Sequence, residues 1–403
     1  MSGALAGIRV LDLSRILAGP MATQTLADLG AEVIKIERPG RGDDTRAWGP
    51  PFVTDAQGRP GTDSAYFVCC NRGKQSVTVD LSHPEGQAIV RALARQCDVL
   101  VENYKVGDLA RFGLAYEDLR ALDPRLVYCS ITGFGQTGPY SERPGYDPVA
   151  QALGGMMSIT GTSEGPPQRV GVAVVDVLTS TWSVIAILAA LRHRDISGEG
   201  QYIDMSLLDV QVSTLVNVAQ NYLSAGLVSE RNGGEHPNVM PSQSFACADG
   251  RVMLAAANDL QFTRLCQTLG IEAVAADARF ATNSARVHNR AELAHLLEQR
   301  LLTGNMVEWE SRLNAAGVPC GRINDIAQVF ADPQVRHRGM RIGMEHPVAG
   351  VLPLVGNPID LSATPVEYRC APPLLGQHTE EVLGRLLDLT PQRIEALRAA
   401  GAI

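Results

Sequence analysis

Several signatures that would assign a chain to a class at once are missing from these 403 residues. The eight cysteines, Cys69, Cys70, Cys97, Cys129, Cys247, Cys266, Cys320 and Cys370, form no C-x-x-C pair and have no histidine at ligand spacing. Neither a zinc framework nor a disulfide scaffold is signalled, and reduced thiols in a cytoplasmic protein are expected. Basic charge is not in excess: the formal net charge is −8, which argues against a general nucleic-acid binder, since that needs cations to release phosphate counterions. The N-terminus lacks a basic region, an apolar core and a cleavage site in that order, so no export is expected. One window, Val172 to Leu191, has the length of a membrane span, but Asp176, Thr179, Ser180, Thr181 and Ser183 interrupt it. A buried core helix is the expectation there, and no membrane partner. No internal repeat or low-complexity tract occurs.

What is present is enough for a large core. Hydrophobic residues make up 45% of the chain, and the length suggests two domains. Ile8–Leu13, Glu32–Glu37, Val77–Leu81, Asp98–Glu102, Leu126–Thr132 and Tyr202–Met205 read as strands, with helical patterns between them, among them Pro20–Leu29 and Pro84–Gln96. That alternation predicts an α/β fold with an open, mostly parallel, Rossmann-like sheet covered on both faces. A second long helix runs to about Leu223. The composition then turns polar, and a hairpin closed by Asp249-Gly250 with helices at 259–269, 290–302 and 305–316 predicts a smaller α+β domain. The expected boundaries are 1–225, 226–324 and a C-terminal segment, 325–403, poor in regular signals up to Ala371, that returns to the large domain or wraps a partner subunit.

The strand ending in Glu37 resembles a dinucleotide fold, but the first turn reads Ser14-Arg15-Ile16-Leu17-Ala18-Gly19-Pro20 and lacks G-x-G-x-x-G. Cations instead follow the early strands: Arg38, Arg41, Arg72, Lys74, Lys105 and Arg111. Each alone reads as a solvated surface charge, yet together at the carboxyl edge of a sheet they suit a ligand with several phosphates. The glycine-rich stretch Thr132–Pro139 reads either as close backbone approach to that ligand or as a turn. Asp176 ends the apolar run Val170–Val175 before a long apolar helix signal. That position suits first of all an N-cap, a reading compatible with a nucleophilic carboxylate held at a helix N-terminus.

Further residues carry a family resemblance. Leu11-Asp12-Leu13-Ser14-Arg15-Ile16-Leu17-Ala18-Gly19-Pro20, Gly30–Glu37, Asn71-Arg72-Gly73-Lys74, Glu102-Asn103-Tyr104, Gly145-Tyr146-Asp147, Gly198–Asp204, Gly317–Gly321 and Leu375–Thr379 resemble the class III coenzyme A transferases across essentially the whole chain. The resemblance implies transfer of coenzyme A (CoA) from an acyl-CoA to a free carboxylic acid, with Asp176 as nucleophile, in an interlocked homodimer. CoA is then part of the substrate, and no tightly bound cofactor or metal is implied. CoA contacts carry over to Ala18, Arg38, Arg72, Lys74, Asn103 and Arg111. A basic residue that some members use near the glycine-rich loop falls on Thr132 here, a departure from the pattern.

The implied chemistry runs through an aspartyl acyl anhydride and an aspartyl-CoA thioester, in a site that must exclude water. The loop Asn232-Gly233-Gly234-Glu235 is a candidate lid. Glu235–Asn238 and the hairpin resemble members that act on dicarboxylic acids such as succinyl donors. Relatives of the same fold that racemise 2-methylacyl-CoA esters carry a histidine where this chain has Tyr146. A phenol, ordinarily titrating near about 10, is a poorer base at neutral pH than an imidazole near about 6.5, so transfer is preferred. A non-catalytic acyl-CoA binding protein would keep the cations and have no use for Asp176.

Overall fold

A computed structural model describes residues 3–55 and 57–403. They fall into two compact units, one built from Met1–Met156, Val170–Gln220 and Gln334–Ile403, the other from Met157–Arg169 and Asn221–Pro333. The crossings thus lie near 220 and 333, and the chain makes one further excursion at 157–169 that the sequence reading did not contain.

The larger unit is organised by six parallel strands: β1 (Arg9–Asp12), β2 (Glu32–Glu37), β3 (Lys74–Thr78), β4 (Val99–Glu102), β5 (Val127–Thr132) and β6 (Tyr202–Ser206). Their order across the sheet is β3-β2-β1-β4-β5-β6. This is the doubly wound order in which the connection reverses direction between β1 and β4, so the chain leaves those strands towards opposite faces of the sheet and a crevice opens at their carboxyl ends.

The strands are apolar on both faces because both are covered. Leu11, Ile34, Leu100 and Tyr128 face a cluster that includes Val90 and Leu93 of a helix at Pro84–Ala94 and Val382, Leu383, Ile394 and Leu397 of the last two helices, Thr379–Leu387 and Pro391–Ala399. Val10, Val33, Val99, Val127 and Cys129 face the opposite way, against α1 (Ala18–Asp28) and a 24-residue helix at Val174–Ser197. That long helix lays Val175, Thr179, Ser183, Ile187 and Leu191 on the sheet. Its other face leaves Trp182, Ile185 and Ile196 exposed.

Two local readings are corrected. The second long helix is broken, Leu207–Ser213 then Val216–Ala225, with Val216 in the left-handed region (φ +35°). The stretch expected to lack regular structure contains short helices at Ile326–Ala331 and Pro333–His337 and an antiparallel hairpin, Arg341–His346 with Gly350–Val355. Met344, Leu352 and Leu354 from that hairpin pack with Val53, Phe67 and Val68. Gly343 and Pro353 disguise it in the sequence, since both residue types are rare inside strands.

The smaller unit holds a three-stranded antiparallel sheet, Ser242–Cys247, Gly250–Ala255 and Cys320–Arg322, around a core of Phe245, Phe262, Phe280, Leu297 and Trp309. All eight cysteines are free. Among the described residues no group of His, Cys, Asp or Glu could hold a metal ion.

Candidate active site

At the sheet's switch point the loops after β1 and β4 are tied together. The Asn103 side chain accepts the Arg15 N–H at 2.8 Å and donates to the Arg15 carbonyl at 2.7 Å. Ile16, next in the chain, has φ +73°, a strained conformation for a β-branched residue. The loop is held from beneath by Asp12, which accepts the Ser14 N–H at 2.9 Å and the Thr23 hydroxyl at 2.7 Å. Burial alone would raise the Asp12 carboxyl, but the Lys74 and Lys35 ammonium charges carry it down to about 2.

Two cavities open from this point. One, of about 170 Å³, is walled by Arg15, Leu17, Ala18, Asn103, Tyr104, Lys105, Thr132, Arg143, Tyr146 and Asp176, among others. The other, of about 440 Å³, lies at the end of β2 between Arg15, Arg38, Asp43, Ser82 and Tyr104. Arg15 and Tyr104 belong to both, with the guanidinium 4.9 Å from the ring centroid. Buried Glu102, raised to about 7 chiefly by loss of solvent, anchors this wall by accepting the Tyr104 N–H at 2.7 Å.

Asp176 does not cap its helix. The helix begins at Val174 with Ala173 in the cap position and no side-chain cap from that residue. Capping comes from Asp147, at the start of a helix spanning Asp147–Leu153: its Oδ1 accepts the Val175 N–H at 2.8 Å and the Asp176 N–H at 3.4 Å. Its Oδ2 accepts from Gln151 Nε2 at 2.7 Å, and Gln151 Oε1 in turn accepts the Val170 N–H at 2.9 Å. Asp176 is thereby left in the first turn with its carboxyl in the cavity. Burial, then the Asp147 charge, pushes it up to about 7, against the pull of the helix N-terminus towards the charged form.

The predicted CoA contacts divide. Ala18 and Asn103 line the cavity with Asp176, Arg38 lines the adjoining one, and Arg111 is an exposed cation paired with Asp108. Lys74 and Arg72 have other work. The Lys74 ammonium is fully buried and donates to Asp12 (3.0 Å), the Pro20 carbonyl (2.8 Å) and Asn71 (2.9 Å), so all its donors are spent inside the fold. Arg72 is buried in a two-pronged pair with Asp28 and also donates to the Val355 carbonyl. Thr132 uses its hydroxyl to accept the Gly135 N–H at 2.9 Å. The 232–235 loop is tied within the smaller unit: Gly233 donates to the Gly161 carbonyl and Glu235 pairs with Arg290 at 3.0 Å.

Sequence reasoning missed Arg15, Arg143 and the capping role of Asp147. Arg15 has one nitrogen, Nε, buried without a partner, and the motif containing it was read for its missing glycines. Only strand order could have shown that its loop borders the crevice.

A carboxyl raised by burial, lining a cavity at the switch point of an open parallel sheet whose walls also carry cations, has the character of a nucleophilic acyl-transfer site. The chain belongs to CoA-transferase family III, whose profile matches residues 5–379. It is 51% identical over 382 residues to the succinate–glutarate CoA-transferase of Agrobacterium fabrum, covering 95% of each chain. It is 44% identical over 399 residues to the succinyl-CoA:glutarate CoA-transferase of Homo sapiens, covering 99% of this chain and 90% of that one. Among solved structures, a CAIB/BAIF family protein from Brucella suis matches with a TM-score of 0.86 and 47% identity, covering 96% of this chain and 100% of the other. The protein is therefore a coenzyme A transferase, which sets aside the racemase and non-catalytic readings.

Proposed function

We propose that this enzyme moves CoA from succinyl-CoA to a second dicarboxylic acid, glutarate by analogy with its relatives, with Asp176 as the covalent nucleophile. The observation that carries the reading is the Asp176 carboxyl itself, desolvated to about 7 in a cavity at the sheet's switch point. The Asp176 carboxylate attacks the thioester carbonyl, forming an aspartyl succinyl anhydride and expelling CoA as thiolate. The thiolate attacks the aspartyl carbonyl, giving an aspartyl-CoA thioester and free succinate. The acceptor carboxylate then reverses the sequence, forming a new anhydride that the thiolate opens at the acceptor carbonyl, and the Asp176 carboxylate is regenerated. No step transfers a proton or changes an oxidation state, so neither a general base nor a bound cofactor is required.

In this reading CoA lies across both cavities. Its phosphates meet Arg38, Arg111 and Arg15, and its thiol arm passes Asn103 and Ala18 towards Asp176. The exposed apolar face of the long helix, Trp182, Ile185 and Leu188, supports association with a second copy of the chain as a homodimer. Eight free cysteines suit a reducing, cytoplasmic setting, and nucleic acid and membrane are not expected partners.

Incubation with succinyl-CoA and hydroxylamine, followed by peptide mapping, tests the nucleophile. A hydroxamate at position 176 is the expected product. A hydroxamate at another residue, or none while turnover continues, would sink the assignment.

A further inference from the structure

Accepting the dicarboxylate reading, the site must hold a second carboxylate at the far end of the acyl chain, and that anion needs a cation which is not already neutralised. Most cations around the crevice are engaged. Arg15 and Arg41 pair with Asp44, Arg111 with Asp108, Arg72 with Asp28 and Lys74 with Asp12. Among the described residues Arg38 of the adjoining cavity and Lys105 and Arg143 of the Asp176 cavity make no ion pair; of the two that share the cavity with Asp176, Arg143 is the one whose planar fork suits bidentate recognition of a carboxylate.

Its guanidinium is held by an aromatic ring instead. It stacks 3.7 Å from the Tyr140 centroid, and Phe134 meets the same ring edge-on at 5.8 Å and 78°. Stacking fixes the plane of the guanidinium while leaving its edge N–H groups available for a bidentate carboxylate. The loop carrying it is locked to the end of β5 by two glycines. A Cβ at Gly133 would lie 2.6 Å from the Gly145 Cα, and one at Gly145 would lie 2.4 Å from the Gly133 Cα. The stretch Gly133 to Gly145 is thus closed at its two ends by direct backbone contact, and it carries Phe134, Tyr140 and Arg143 between them.

We infer that Arg143 is the specificity-determining residue that grips the distal carboxylate of the dicarboxylyl substrate. A phosphate of CoA is the competing occupant for such a cation, and Glu142, also in the cavity wall, is the anion that a bound carboxylate must displace or avoid.

The test compares succinyl-CoA with butyryl-CoA as donors for wild type, Arg143→Gln and Arg143→Lys, with inhibition by free CoA measured alongside. Arg143→Gln is expected to lower kcat/KM for succinyl-CoA roughly 10- to 100-fold, the loss of a charge-assisted pair, while butyryl-CoA changes by less than about threefold. CoA inhibition should be unaltered, and Arg143→Lys should recover only part of the succinyl preference because a point charge lacks the planar fork. Equal loss on both donors, weakened CoA inhibition or an unchanged succinyl preference would each overturn the inference while leaving the dicarboxylate reading intact. A wild-type enzyme that does not prefer succinyl-CoA over butyryl-CoA would instead defeat that reading, and the inference with it.

Discussion

Replacing Asp147 by Asn removes one negative charge while keeping an oxygen where the Val175 N–H needs it. The helix start should survive, because Asn is as good a cap acceptor as Asp, but the bond from Gln151 Nε2 to Oδ2 is lost because the Asn amide nitrogen cannot accept it. Asp176 should respond. It is raised from 3.8 to about 7 by burial first and by the Asp147 charge second. A like charge several ångströms away at an effective dielectric of about 20 is worth roughly one to two units, so the carboxyl should fall by about that much in the variant. Its nucleophilic form is the carboxylate, so wild-type activity is lost as pH falls through about 7. In Asp147→Asn that loss should occur at correspondingly lower pH. The assay is the pH profile of kcat/KM for the acyl-CoA donor, which reports the free enzyme. At about pH 6 the variant should retain a larger share of its own plateau, although the plateau itself should drop a few-fold because a less basic carboxylate is a weaker nucleophile. An acid limb that stays where it was, or moves upward, would refute the coupling between the two carboxyls.

Asp176→Asn should abolish transfer while free CoA still binds. The same change should stabilise the fold at alkaline pH: a carboxyl raised in the native state destabilises progressively as pH rises from about 4 to about 7. Because Asp176 is partly solvated, the gain at about pH 8 should be nearer 1–2 kcal/mol than the full linkage value of ~4, and should vanish by about pH 4; thermal unfolding across that range reads it, and a gain that persists in acid would contradict it. Lys74→Met should lower the unfolding midpoint, consistent with about 3–5 kcal/mol for breaking a buried ion pair, and a fully stable variant with weakened CoA affinity would restore the phosphate-contact role. Gly145→Ala should displace the 141–146 loop and impair turnover far more than it weakens CoA inhibition, since its Cβ meets the backbone of Gly133.

Strand alternation was legible because β1, β2, β4 and β5 are apolar on both faces and are punctuated by helix-starting residues such as Pro20 and Pro84. Asp176 was legible as a charge ending an apolar run. Its capping partner was not: Asp147 lies 29 positions earlier and reaches the helix only through the fold. For the same reason Arg72 and Lys74 looked like phosphate ligands. Their type and their place on a strand end were right, but their carboxylate partners, Asp28 and Asp12, come from distant parts of the chain and draw both into the interior. The hairpin at 341–355 was hidden by Gly343 and Pro353, whose cost is outweighed by packing Met344, Leu352 and Leu354 against Phe67 and its neighbours. Pattern and residue type thus carried the core, and long-range pairing decided which charges are available to a ligand.

The covalent role of Asp176 can be tested most directly with an acceptor acid labelled in both carboxylate oxygens with heavy oxygen. Attack of that acid on the aspartyl-CoA thioester, followed by release of the new acyl-CoA, leaves one labelled oxygen on the enzyme. Mass analysis of the digested protein after a single turnover should find one heavy oxygen in the peptide containing Asp176 and none elsewhere, with a second accumulating there as turnover repeats. An unlabelled Asp176 peptide after complete turnover would contradict the account, as would label confined to a different residue.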